Sequence, residues 1–206
     1  MQINLFINYF QCGDKIRQKE LDFCFQSNQD NPLIDRIINF DNRLKYDDFF
    51  EATQDYPNDI NILANSDIYF NDTIENVLNI RDNECYAITR SELKGEKVVP
   101  FEEMNTYNKE AKARFSQDVW VFKGAVKRVR ANFHLGVPGC DNRVAHEISM
   151  AGYSIKNPCY TIECIHKHRS QHRAYNIPQQ YNERVERPYK FIEPEGMKTK
   201  HFRTNT

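Results

Sequence analysis

Asp67 and the histidines at 166, 168 and 172 are the residues of this 206-residue chain whose types and spacing best suit a cation or a charged substrate. Asp67 closes Asn61-Ile-Leu-Ala-Asn-Ser-Asp67, where an apolar run stops at three polar residues and a second apolar group, Ile68 to Phe70, follows at once. A carboxylate at the end of a buried strand is costly unless it is solvated, paired or bound to a cation. The competing reading makes Asp67 a turn residue or a cap for the segment Asp72 to Leu78, because Asp is common at helix starts. His166-Lys-His168 sets two imidazoles two positions apart, and on an extended segment such residues point the same way. One of them can complete a site with Asp67 for magnesium or manganese, held by a carboxylate, an imidazole and diphosphate oxygens. Cys159, Cys164, His166, His168 and His172 also offer zinc-ligand types, although C-x4-C-x-H-x-H-x3-H fits none of the usual finger spacings. That alternative would be a non-catalytic, zinc-stabilised nucleic-acid-binding module.

Gly136-Val-Pro-Gly-Cys-Asp-Asn142 is the second concentrated signal. Two glycines and a proline force a tight, defined loop, and it delivers Asp141 and Asn142 to a helix expected over residues 143–151. Asp141 is then either an N-cap, worth about 1 kcal/mol, or a carboxylate held rigid for chemistry. Trp120, the only tryptophan, reads as a core residue or as a stacking platform for a base or sugar.

The elements that must position these residues follow from the apolar pattern. Strands are expected over 3–9, 34–40, 60–64, 85–89 and 117–122, with helices over 15–26, 46–52 and 72–79. Residues 153–157 and 159–165 read as two further short strands. Alternating strand and helix implies an α/β fold with a mostly parallel sheet flanked by helices. Short apolar runs such as Ile62 to Ala64 suit strands buried on both faces, and ligands of such sheets collect at the carboxyl ends of strands. Helix 15–26 shows an irregular apolar stripe at 16, 21, 23 and 25. Residues 91–108 are charged and aperiodic, and are expected to form a loop. Lys127, Arg128 and Arg130 read as a solvated face or a phosphate-contacting surface.

Length suits one domain, expected over residues 1–177, with a polar, partly disordered extension over 178–206. Charged residues at 28% and hydrophobic ones at 40% are ordinary for a soluble protein. No apolar run reaches the roughly 18 residues of a membrane helix, and the N-terminus lacks the features of a signal peptide. A cytoplasmic protein is expected, and the six irregularly spaced cysteines suit reduced thiols. The net charge of −1 hides an asymmetry: residues 1–100 carry 10 Lys+Arg against 18 Asp+Glu, and residues 101–206 carry 18 against 11. The basic C-terminal half suits an anionic partner such as nucleotide phosphates or nucleic acid.

Asn65-Ser-Asp67 after an apolar strand, Gly136-x-Pro-Gly-Cys-Asp-Asn142, Asn157-Pro158 and His166-x-His-x-Ser-x-x-Arg-x-Tyr175, in that order, resemble small GT-A glycosyltransferase-like proteins of bacteria, phages and large DNA viruses. Base J glucosyltransferases and phage enzymes acting on hydroxymethylated pyrimidines in DNA look related. The resemblance spans roughly residues 3–175. It implies a GT-A-like fold and transfer of a sugar from a nucleotide-sugar donor, UDP-linked by preference, to a hydroxyl group. The acceptor it favours is a hydroxymethylated pyrimidine in DNA, with a surface glycan or small molecule as the alternative; for a phage protein, the place of action would be the host cytoplasm. It further implies Asp67 as principal ligand of Mn2+ or Mg2+ and His166 or His168 as the late ligand. Asn65 stands where the family's first Asp would be, which weakens the expected metal dependence. By the same reading Asp141 is the catalytic base or binds the acceptor together with Asn142 and Trp120, while Arg169 and Arg173 contact the diphosphate.

Overall fold

The computed structural model describes residues 1–104, 113–170 and 184–196. The apolar runs become strands buried along their whole length: β1 (Ile3–Ile7), β3 (Ile60–Ala64) and β5 (Glu84–Ile88) expose none of their residues. Between β1 and β3 lie α1 (Lys15–Gln29), β2 (Arg36–Asn39) and α2 (Tyr46–Ala52). After β3 the chain turns through Asn65-Ser66-Asp67 into β4 (Ile68–Phe70) and a 3-10 helical stretch over Asp72–Asn79 before β5. A hairpin of β6 (Ser91–Lys94) and β7 (Lys97–Pro100) precedes the short α3 (Phe101–Met104), β8 (Val119–Lys123), α4 (Cys140–Met150), β9 (Ser154–Lys156) and β10 (Cys164–His166).

Six strands form the main sheet in the order β2-β1-β3-β8-β5-β9. Only β8 runs against the others, pairing antiparallel with β3 and with β5, while the β1–β2, β1–β3 and β5–β9 pairs are parallel. The mixed, mostly parallel α/β sheet expected from the sequence is therefore present, in one compact domain. A second sheet, β4-β10-β6-β7, was not foreseen.

Strand alternation divides the core into two clusters. Leu5, Ile62, Ile88 and Val121 face Ile68, Phe70, Ile74, Val77 and Cys164, so the small sheet and the 3-10 stretch cover that side. Phe6, Leu63, Trp120 and Phe122 face Phe49, Phe50, Val144 and Ile148 of α2 and α4. Helices thus cover one face, and much of the other is covered by strand and 3-10 structure.

Four further expectations need correction. Residues 91–100 are a two-residue-loop hairpin, with Gly95 at φ 65 and Lys94 opposite Lys97. Helix α4 starts at Cys140, a turn earlier than expected, because Gly139 at φ 85 takes the N-cap position without a side-chain bond. Of the expected strand 159–165, only its last two residues enter β10, since Thr161 and Ile162 amides both turn back to the Pro158 carbonyl. Within the expected C-terminal extension, residues 184–196 pack on the domain: the Val185 amide donates to Pro138, Lys190 to Asn142 and Glu195 to Asn157, and Ile192 enters the core. Residues 197–206 lie outside the described residues. Among the described residues no helix is long and apolar enough to cross a membrane, and no cysteine is paired.

Candidate functional site

Sheet register brings Asp67 and His166 together. Strand β10 pairs antiparallel with β4 so that His166 lies opposite Ile68, and the Lys167 amide donates to the Asp67 carbonyl at 2.9 Å. The Asp67 turn is closed by the Ile68 amide on Asn65 (3.1 Å) and by the Ser66 hydroxyl on the Asn8 carbonyl (2.5 Å). His166 Nε2 then lies 3.2 Å and His168 Nδ1 3.3 Å from the same oxygen, Asp67 Oδ2. The two imidazoles do face one site, with ring centroids 5.5 Å apart. Ligand atoms of Asp67, His166 and His168 all fall within 4.8 Å of one another, a grouping able to hold a divalent cation. Neither Cys159 nor Cys164 joins it; both are buried in the apolar core, which removes the described part of the zinc-finger alternative. His172 lies outside the described residues.

Around this group the structure builds a chain of ion pairs that the sequence did not suggest. Arg17 Nη2 reaches Asp67 Oδ2 at 2.6 Å and Arg17 Nη1 reaches Glu20 at 3.2 Å. On the other side His166 Nδ1 meets Glu92 at 3.2 Å, Glu92 takes Arg90 at 2.6 Å, and Arg90 reaches Asp118 at 3.2 Å. Asp118 in turn accepts from the Asn65 amide at 3.0 Å. Burial alone would raise the Asp67 pKa, but hydrogen bonds from His166 and His168, with Arg17 nearby, hold it well below the usual carboxylate range. Burial would likewise lower that of His166, yet its bonds to Asp67 and Glu92 lift it to about 9. With His166 protonated, the chain from Asp118 to Glu20 alternates in sign, and a cation bound at this group would have to displace that proton.

Asp67, His166 and His168 open into a cleft of about 780 Å³ that also holds Arg17, Asn65, Arg90, Asp118 and Asp141. Phe115, Leu135, Val137 and Pro138 are among its apolar lining residues. Asp141 lies in the first turn of α4, where it is not the N-cap. Its Oδ1 accepts from the Tyr46 hydroxyl and the Cys140 thiol, each at 3.2 Å. Burial, then the neighbouring Asp118 charge, raises its pKa to about 7, and the donors Cys140, Tyr46 and the Gln117 amide offset only part of this.

Other expected site residues fall elsewhere. Trp120 is 2% exposed on the sheet face covered by α2 and α4, in edge contact with Tyr46, so it is a core residue and not a platform. Asn142, one step round α4 from Asp141, is buried against Arg114 and Lys190 outside the cleft lining. Arg169 exposes its side chain and uses its backbone amide on Glu20; Arg17 and Arg90 are guanidinium groups of the cleft instead. Arg173 lies outside the described residues. Asn65 does line the cleft, bonded to Asp118, which supplies a carboxylate beside the position where Asn65 lacks one. The Lys94-Gly95-Glu96-Lys97 turn signal could have revealed the hairpin that carries Glu92, though not its pairing with His166. Arg17 and Glu20 had no such signal.

No family model matches the chain, and no curated protein matches it in sequence.

Proposed function

We propose that this protein is a nucleotide-sugar-dependent glycosyltransferase on a GT-A-like scaffold, with Asp67, His166 and His168 holding a divalent cation and Asp141 acting as base. One observation carries the reading: a single cleft contains a cation-capable group at the carboxyl end of β3 and a separate carboxylate whose pKa lies near 7. Two imidazoles and one carboxylate suit manganese better than magnesium, which prefers all-oxygen shells.

When bound, the cation offsets negative charge developing on the departing diphosphate. Arg17 and Arg90 add positive charge to the same wall of the cleft. In transfer, the bond between the sugar's anomeric carbon and the phosphate oxygen breaks, and the acceptor oxygen bonds to that carbon. Deprotonated Asp141 takes the acceptor's hydroxyl proton, for which a pKa near the working pH is well matched. The acceptor we favour is a hydroxymethylated pyrimidine in DNA, supported by the motif resemblance and by the 18 to 11 basic excess of residues 101–206.

Incubation with UDP- and GDP-sugars plus manganese, with and without hydroxymethylated DNA, tests this. Nucleoside diphosphate release stimulated by the DNA, with a mass gain on the base, is expected. Salt should weaken DNA affinity steeply. Release without DNA stimulation would remove the DNA acceptor and leave a glycan or small-molecule acceptor. No release with any donor would contradict the enzyme itself.

A further inference from the structure

Helix α1 buries a face that is largely polar. Arg17, Glu20, Leu21, Cys24 and Asn28 are its buried residues, while Ile16 and Phe23 are exposed. Buried charges are tolerated only when each is well partnered, and the partners of this helix lie at the candidate cation site. Glu20 Oε1 accepts the backbone amides of Arg169 (2.6 Å) and Ser170 (2.9 Å), and its Oε2 accepts the Ser170 hydroxyl (2.9 Å). Arg17 joins this carboxylate to Asp67. Asn28, further along the same face, donates to the Ile68 carbonyl at 2.9 Å and accepts from the Phe70 amide at 3.1 Å. It therefore locks α1 to β4, and β4 pairs with β10, which carries His166. A closed circuit results: α1 holds β4, β4 holds β10, and the chain leaving β10 returns to α1 at Glu20.

We propose that Glu20 is a positioning residue for the cation site: by fixing the backbone directly after His168, it keeps that imidazole beside Asp67 before any cation arrives. The inference rests on Asp67, His166 and His168 being a divalent-cation site. A pre-ordered ligand segment spares the ordering cost that binding would otherwise carry. Loss of such a supporting group typically weakens metal affinity about 10–100-fold.

The test is manganese titration of the full chain, reading free Mn2+ by electron paramagnetic resonance. Glu20→Ala should bind Mn2+ about 10–100-fold more weakly than wild type. Glu20→Gln keeps a carbonyl oxygen for the two amides and should recover most of the affinity. Ser170→Ala, which removes only the hydroxyl contact, should lose about 2–10-fold, and it decides the matter if Glu20→Ala does not fold. Trp120→Phe lowers stability without touching residues 168–170 and should keep wild-type Mn2+ affinity. Equal losses in Trp120→Phe and Glu20→Ala would mean a merely structural role and overturn the proposal. Wild-type affinity in both Glu20→Ala and Ser170→Ala, or in Ser170→Ala where Glu20→Ala does not fold, would overturn it while leaving the cation site intact. Absence of Mn2+ binding by the wild type would overturn both.

Discussion

Two carboxylates in one cleft are held in opposite electrostatic states. Asp67 sits among a guanidinium and two imidazoles, and its proton affinity is driven well below the ordinary range. Asp141 is offered neutral donors, the Tyr46 hydroxyl, the Cys140 thiol and the Gln117 amide, and burial with the Asp118 charge nearby raises its pKa to about 7. Under the proposed function the same residue type does two jobs. A carboxylate that stays ionised can hold a cation, and one that titrates near neutrality can move a proton.

The sharpest way to break the comparison is Asp67→Asn. It should abolish Mn2+ binding and lower sugar transfer by about 100–1000-fold, as loss of several kcal/mol of charge stabilisation requires. Because it removes one of the two carboxylate partners of the buried Arg17, with Glu20 remaining, stability should also fall by about 1–3 kcal/mol, measured by denaturant unfolding. Asp141→Asn should lower transfer by about 100-fold or more with Mn2+ affinity intact. In the wild type the rate should rise with pH through about 7 and level off above, because the base acts deprotonated; the asparagine variant should lack this limb.

Stability should show the matching sign. A carboxyl whose folded pKa is raised favours folding at low pH, and that contribution disappears as pH rises to about 7. Asp141→Asn should therefore gain melting temperature relative to wild type at pH 8 but not at pH 4. A smaller effect sharpens the same point: Tyr46→Phe removes a donor that lowers the Asp141 pKa, moving the limb to higher pH and cutting the rate at pH 7 about 2–5-fold. Trp120→Phe should cost about 1–3 kcal/mol of stability and leave the acceptor KM unchanged; a raised KM would return Trp120 to the site.

The Asp67 half of the site was more legible in the sequence than the residues that support it. Apolar runs announced β1, β3, β5 and β8, and the abrupt stop at Asn65-Ser66-Asp67 marked the strand end, because burial on both faces demands continuous apolar residues. The i, i+2 spacing of His166 and His168 predicted a shared face. Helix α1 misled for a physical reason. Its buried stripe is Arg17, Glu20 and Asn28 beside Leu21 and Cys24, so an apolar reading selects Ile16 and Phe23, which face out. Glu92 was hidden likewise, in a hairpin whose charged residues resemble a loop. Which carboxylate pairs with which cation depends on strand register between segments distant in sequence, as in the 74 positions separating Glu92 from His166, and no local pattern encodes that.

The most direct measurement is Mn2+ affinity of wild type, Asp67→Asn and Asp141→Asn, side by side. Asp67→Asn should lose binding while Asp141→Asn retains wild-type affinity. Loss in both, or in neither, would contradict the division of labour between the two carboxylates.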